Sequence, residues 1–375
     1  MGKVPPGKVS LAKSSVLGLV IGTLLLAGCV TPKPDSPPVP RYVPDPPTAA
    51  DYQGNTVETG VGASLSDVLY VSGGLTGCAT GSDEGCEGNF AGGQYRGSQT
   101  FDVYEPPASA PMAPSTGRPV IVWIHGGFAV SGDKTDVGNR DYPANLLARQ
   151  IARGYVVISL NYRLNITSPG PNGTIFPLDP VAAEDLDVAV RYMKANSSEL
   201  GIDPKRIILW GHSWGAWAAL MQATASGVRT PAWLPTELAA FSPVVAATVA
   251  ESGPSDLTAT IPVALREVER TSDLGPIDLD SIDPAELEAN SPLRYVDRTD
   301  SPIYAMSGPI DPLIPLSDPE SMADAYAAIA RTNLYRLDIV DRAAGAALPW
   351  AWQGHLTHPG ANRSELERFL DQSRR

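Results

Sequence analysis

The chain has 375 residues, with 41 acidic side chains against 28 Lys and Arg, a formal net charge of −13, four histidines and three cysteines. That length suits one large domain with insertions better than two independent folds. The acidic balance argues against nucleic-acid binding and against capture of polyanions by charge.

The first residues read as an address. Lys3, Lys8 and Lys13 form a positive segment without acids, and Val16 to Ala27 form an apolar run. That run is too short for a spanning helix, which needs roughly 20 apolar residues. It ends in Leu26-Ala27-Gly28-Cys29, which resembles the bacterial lipobox. The expectation is a signal peptide over 1–28, acyl chains on Cys29 and an extracytoplasmic protein held on a membrane surface by that lipid anchor. An ordinary signal peptide with an incidental cysteine is the alternative. Residues 29–50 are dense in proline and predict an extended spacer, leaving 51–375 as the folded domain. Cys78 and Cys86 sit in a Gly-rich loop, where an oxidising compartment predicts a small disulfide clip, with two free thiols as the alternative. Two thiols with no nearby His give too few ligands for a metal.

Short apolar alternations over 51–100 predict an antiparallel entry, with a strand at Thr100–Tyr104. From Pro119 the pattern changes to continuous apolar runs, the mark of strands covered on both faces. Buried strands are expected at Val120–Ile124, Tyr155–Leu160 and Arg206–Trp210. Helices are expected near 141–153, Ala182–Ala195 and Trp214–Ala225. The segment 245–300, rich in acids and prolines, reads as an insertion packed over the site, or a cap. A strand at Ile303–Ser307, a helix over 319–331, a strand at Leu334–Ile339 and a helix at Ser364–Gln372 then resume the alternation. Strands alternating with helices give an α/β class with a mostly parallel sheet and helices on both faces.

Gly211-His212-Ser213-Trp214-Gly215 matches G-x-S-x-G. The pattern is common, but here it follows a buried strand and opens a helix, as the nucleophile elbow of the α/β-hydrolase fold requires. Ser213 is the candidate nucleophile. His125-Gly126-Gly127-Phe128 follows the first buried strand, where glycines let backbone N–H groups approach a developing oxyanion. The candidate oxyanion donors are the N–H groups of Gly126, Gly127 and Trp214. In this fold the acid and then the histidine follow the serine along the chain. Only His355 and His358 lie downstream; His355 is preferred, because His358 precedes Pro359. His212, inside the elbow, reads as turned away. Asp311, in the loop after Ile303–Ser307, is the candidate acid. Asp318 reads instead as a helix N-cap before Pro319, and Asp256 lies on the insertion.

Pro119 to Phe128, Val156 to Leu164, and Asp203-Pro204-Lys205-Arg206-Ile207 through Gly215 resemble α/β-hydrolase carboxylesterases of the type-B, hormone-sensitive-lipase-like and feruloyl-esterase-like groups. The resemblance covers about residues 100–375. It implies hydrolysis of a small-molecule ester through an acyl-enzyme, with no metal or organic cofactor. The elbow departs from the type-B pattern at His212 and Trp214, the acid is Asp where type-B enzymes commonly use Glu, and Phe128 stands where hormone-sensitive-lipase-like enzymes have a third glycine. Asn161-Tyr162-Arg163 and Asp185 read as braces of the core around the site. A peptidase or amidase, an envelope acyltransferase and a non-catalytic surface-binding protein are the rival readings of the same motifs.

Overall fold

The computed structural model describes residues 63–72, 87–90, 93–111, 114–128, 130–138, 144–165, 180–271, 279–340, 355 and 363–373. The expected signal peptide, Cys29 and the Pro-rich spacer lie outside the described residues, as do Cys78, Cys86 and His358.

In chain order the strands and helices are β1 (Leu65–Leu69), β2 (Glu87–Phe90), β3 (Gly93–Arg96), β4 (Thr100–Tyr104), β5 (Arg118–Ile124), α1 (Ala144–Ala152), β6 (Val156–Leu160), β7 (Leu164–Asn165), α2 (Val181–Ala195), β8 (Ile202–His212) and α3 (Trp214–Thr224). There follow β9 (Ala247–Glu251), α4 (Leu257–Thr271), α5 (Pro284–Ala289), β10 (Ile303–Ser307), α6 (Ser317–Ala328), β11 (Tyr335–Ile339) and α7 (Arg363–Ser373). Eight strands form one sheet in the order β1-β4-β6-β5-β8-β9-β10-β11. From β6 to β11 every neighbour is parallel, while β4 pairs antiparallel with β1 and β6. β2, β3 and β7 make a separate small antiparallel ladder.

The continuous apolar strands are explained by what covers them. Val120, Val122 and Ile124 of β5 join a core with Leu186 and Val190 of α2 and Trp217 of α3. Ile121 and Trp123 point the other way, into a core with Ile151 of α1 and Leu366 and Leu370 of α7. With period-2 alternation and helices on both faces, no position from Val120 to Ile124 meets water. Each such side chain contributes about 1.5–3 kcal/mol by burial.

The stretch 245–300 divides differently from its sequence reading. Its first part is β9, a fully buried strand between β8 and β10. The sequence Ala-Thr-Val-Ala-Glu is short and carries small residues and a terminal acid, so its hydropathy hides its place in the sheet. The part outside the sheet starts at Ser252 and carries α4 and α5. Asp318 also differs from expectation. It lies in the first turn of α6, yet its carboxylate accepts the N–H groups of Ser255 (2.8 Å) and Asp256 (2.9 Å) and the hydroxyls of Ser255 (2.6 Å) and Thr260. A buried carboxylate needs such partners, and this one ties α6 to the start of α4.

Asp300 leads into β10 and is buried. Its Oδ2 accepts the Tyr326 hydroxyl at 2.6 Å and the Asp297 N–H at 2.9 Å. Burial outweighs these bonds and pushes the carboxyl up to about 6, against about 4 in an unfolded chain. The folded state therefore binds this proton more tightly. The contribution is complete below about pH 4 and is lost as the pH rises through about 6. Urea unfolding across pH 4–7 should show wild-type stability declining relative to Asp300→Asn over that window. A constant difference between the two proteins would contradict this.

Candidate active site

Ser213 joins β8 to α3 in a backbone conformation of φ 52° and ψ −119°. A non-glycine residue there is strained by about 1–3 kcal/mol and persists only where its surroundings force it. They do so through close packing. A Cβ on Gly211 would lie 2.2 Å from the Gly215 carbonyl oxygen. One on Gly215 would lie 2.3 Å from the carbonyl oxygens of both Ile124 and His125. The Ser213 N–H is held by the Glu251 carbonyl at the end of β9, at 2.8 Å. The helix that follows points its N-terminus at the serine, with Trp214 as its first residue. Its first N–H groups have no intrahelical partner and carry the positive end of the helix dipole.

The glycine loop after β5 lies against the elbow. A Cβ on Gly126 would come 3.0 Å from the Ser213 Cβ and 3.0 Å from His212 Nδ1. Gly127 has φ 100° and Phe128 has φ 56°. Two groups secure this loop. The His125 Nδ1–H donates to the Gly126 carbonyl at 2.8 Å, and the Tyr162 hydroxyl lies 3.0 Å from the His125 carbonyl and 3.1 Å from that of Gly126. The two rings stack at 4.3 Å. Burial pushes the His125 imidazole below its ordinary value, with the Gly126 carbonyl acting in the opposite sense. Tyr162 thus does more than brace the core, because its hydroxyl fixes the loop that carries two of the expected oxyanion donors. Arg163 is held by Asp185 at 2.8 Å and lies between the rings of Tyr95 and Trp233.

Asp311 and His355 come together from two loops. The His355 Nδ1–H donates to Asp311 Oδ2 at 2.9 Å, and both side chains are buried. The other carboxylate oxygen accepts the N–H groups of Leu313 (2.9 Å) and Ile314 (3.0 Å). Burial pushes the Asp311 carboxyl up, but the His355 imidazole and these hydrogen bonds outweigh it and hold it below the usual carboxylate range. An ionised carboxylate only accepts, so the proton resides on Nδ1 and Nε2 is left with a lone pair.

Ser213 and His355 line one narrow cleft. Its walls are apolar: Phe128 and Trp214 on one side, Ile261 and Ala264 of α4 above, Leu313 and Ile314 beside the acid. Phe128 stacks on Trp214 at 5.5 Å, and Trp214 on Trp217 at 4.5 Å. The space enclosed holds about one water-sized group. A serine at a strained turn, a hydrogen-bonded histidine–carboxylate pair and backbone N–H groups around one apolar cleft are groups of the kind that acyl transfer uses. α4 lies within the 245–300 stretch that the sequence marks as an insertion over the site, and tertiary packing brings Thr260, Ile261 and Ala264 to the cleft. A larger cavity of about 250 Å³ opens at the far end of α3, beside Glu184, Asp187 and Arg229.

Residues 101–326 match the family model BD-FAE. The chain belongs to the BD-FAE family, a family of α/β-hydrolase esterases. Among curated relatives it is 26% identical to esterase LipQ of Mycobacterium tuberculosis, over 57% of this chain and 47% of that protein. It is 29% identical to a chlorogenic acid esterase of Aspergillus niger, over 44% of this chain and 28% of that one. The chain thus spans less than half the length of these relatives. In solved structures it is similar to a truncated carbohydrate esterase from gut microbiota, with a TM-score of 0.57, 18% identity, and coverage of 86% and 99% of the two chains. It is also similar to esterase Est2 of Thermogutta terrifontis, with a TM-score of 0.51, 19% identity, and coverage of 73% and 88%. At those identities the structures show the fold, and the fold is that of the α/β-hydrolases.

Two substitutions test this architecture. Gly215→Ala drives a Cβ into two carbonyl oxygens, and it should cost several kcal/mol of stability or prevent folding; near-wild-type urea unfolding would contradict the packing. Tyr162→Phe keeps the stack on His125 but removes the hydroxyl from two carbonyls. It should cost about 1–3 kcal/mol by the same measurement, and an unchanged unfolding midpoint would contradict the loop contact.

Proposed function

We propose that this protein is a serine carboxylesterase acting through an acyl-enzyme. The reading rests on one observation above all. His355, with its Nδ1–H bound to the ionised Asp311, shares a cleft with a serine held at positive φ at the head of a helix. His355 Nε2 takes the proton of Ser213 as Oγ attacks the ester carbonyl carbon. The N–H groups of Gly126, Gly127 and Trp214 receive the oxyanion. The protonated His355 then gives its proton to the departing alkoxide, which leaves as the alcohol and frees the acyl-enzyme. Water, deprotonated by the same imidazole, attacks that acyl group, and the proton returns to Ser213 Oγ as the carboxylic acid departs. Asp311 keeps the imidazole in the productive tautomer and stabilises it when charged. The apolar cleft takes the acyl chain, and its small volume favours short ones.

The relatives' names support ester substrates without fixing the alcohol. We further propose that residues 1–28 are a signal peptide, that Cys29 carries the lipid anchor and that Cys78 and Cys86 form a disulfide in an extracytoplasmic protein. Loss of the protein from the membrane fraction in Cys29→Ala tests the anchor, and retention there would contradict it.

Protein starting after Cys29 should hydrolyse p-nitrophenyl acetate faster than butyrate, and leave p-nitroanilides nearly untouched. Ser213→Ala should abolish this turnover. Asp311→Asn should lower kcat by about 10³–10⁴-fold, the effect of losing the imidazole's correct tautomer in a serine triad. Turnover that survives Ser213→Ala would overturn the mechanism, and anilide cleavage at ester-like rates would replace the esterase with an amidase.

A further inference from the structure

His212 has no part in the mechanism above, yet it touches three of its components. It is bonded along the chain to Ser213. Its ring packs on the oxyanion loop, where Nδ1 lies in the space that a side chain at Gly126 would enter. Its Nε2 is 3.2 Å from the backbone carbonyl oxygen of His355, and the two rings meet edge to face with centroids 5.1 Å apart. A carbonyl only accepts, so Nε2 carries the hydrogen and donates it. All of this is buried.

His355 lies in a turn between the end of β11 and the start of α7. The Asp311 carboxylate orients its ring. The contact made to its backbone carbonyl from the residue next to the nucleophile references the main chain of the base directly to the serine it must serve. Proton transfer is sensitive to such placement, since a misplacement of about 1 Å can cost on the order of 10²-fold in rate.

We propose that His212 is a positioning residue for the esterase reaction, clamping the main chain of His355 to the nucleophile elbow through an Nε2–H donor; the inference rests on the esterase reading given above. Gln presents a neutral N–H at nearly the same reach as Nε2, whereas Leu fills the space without a donor and Asn is too short.

The experiment compares His212→Gln, His212→Leu and His212→Asn in the full chain. It measures kcat and KM on p-nitrophenyl acetate, the rate of Ser213 labelling by a fluorophosphonate, and the melting temperature. In His212→Leu, kcat and the labelling rate should fall together by about ten- to a hundred-fold, with KM within a few-fold of wild type. His212→Gln should recover most of the loss and His212→Asn little of it. Should His212→Leu fail to fold, the Gln-to-Asn difference in folded proteins carries the test. Wild-type kcat in a folded Leu or Asn variant would overturn the inference, and so would a Gln variant as slow as Asn at equal melting temperature. Failure of the parent enzyme to turn over any ester would overturn the esterase reading itself, and this inference with it. Turnover by the parent with silent His212 variants would overturn this inference alone.

Discussion

Ser213 is held at φ 52° by the close approach of three backbone segments, and the rest of the site is arranged around that strained turn. β5, β8 and β9 lie parallel and in register at this edge: Ile124 is opposite Gly211, and His212 is opposite Glu251. The strands end together, so the glycine loop after β5, the turn at Ser213 and the Glu251 carbonyl meet at one point. Gly215 is what lets α3 start close enough to the carbonyls of Ile124 and His125. The strain is local, while the apolar burial that opposes its release is spread over both faces of the sheet. A single residue in a disfavoured conformation costs less than one or two buried aliphatic side chains contribute, so the sheet can hold the serine in this geometry without help from substrate.

The electrostatic design depends on the same burial. Asp311 is removed from water, and burial by itself pushes its carboxyl up; one oxygen is instead covered by two backbone N–H groups and the other by His355, which together hold it below the usual range. A charge kept in a dry site acts on the imidazole with little screening. The His125 ring, buried against Tyr162, works in the opposite way: it stays neutral and serves as a fixed donor within the glycine loop. One histidine pairs with a buried carboxylate and the other holds a loop through a backbone carbonyl, and their surroundings decide which does which.

Much of this was legible in the sequence because the signals are local. Val120–Ile124 and Arg206–Trp210 read as strands covered on both faces, and β5 and β8 contain them. Chain order favoured Asp311 and His355, and the structure brings these two within hydrogen-bond distance. What remained hidden is set by partners far along the chain. β9 has too little hydropathy to stand out, and its position between β8 and β10 emerges only from pairing. Asp318 resembles a cap for its own helix, but the donors it satisfies belong to the turn before α4 and to the first turn of α4. His212 reads as turned away because nothing near it in sequence explains its direction; its partner is the carbonyl of a residue 143 positions later.

The proposed esterase requires covalent chemistry at Ser213. The most direct measurement is rapid-quench mass spectrometry of the enzyme mixed with p-nitrophenyl acetate, followed by peptide mapping. One acetyl group per chain, located on Ser213, should appear within the first turnover and decay at the steady-state rate. Steady turnover with no adduct, or an adduct confined to another residue, would contradict it.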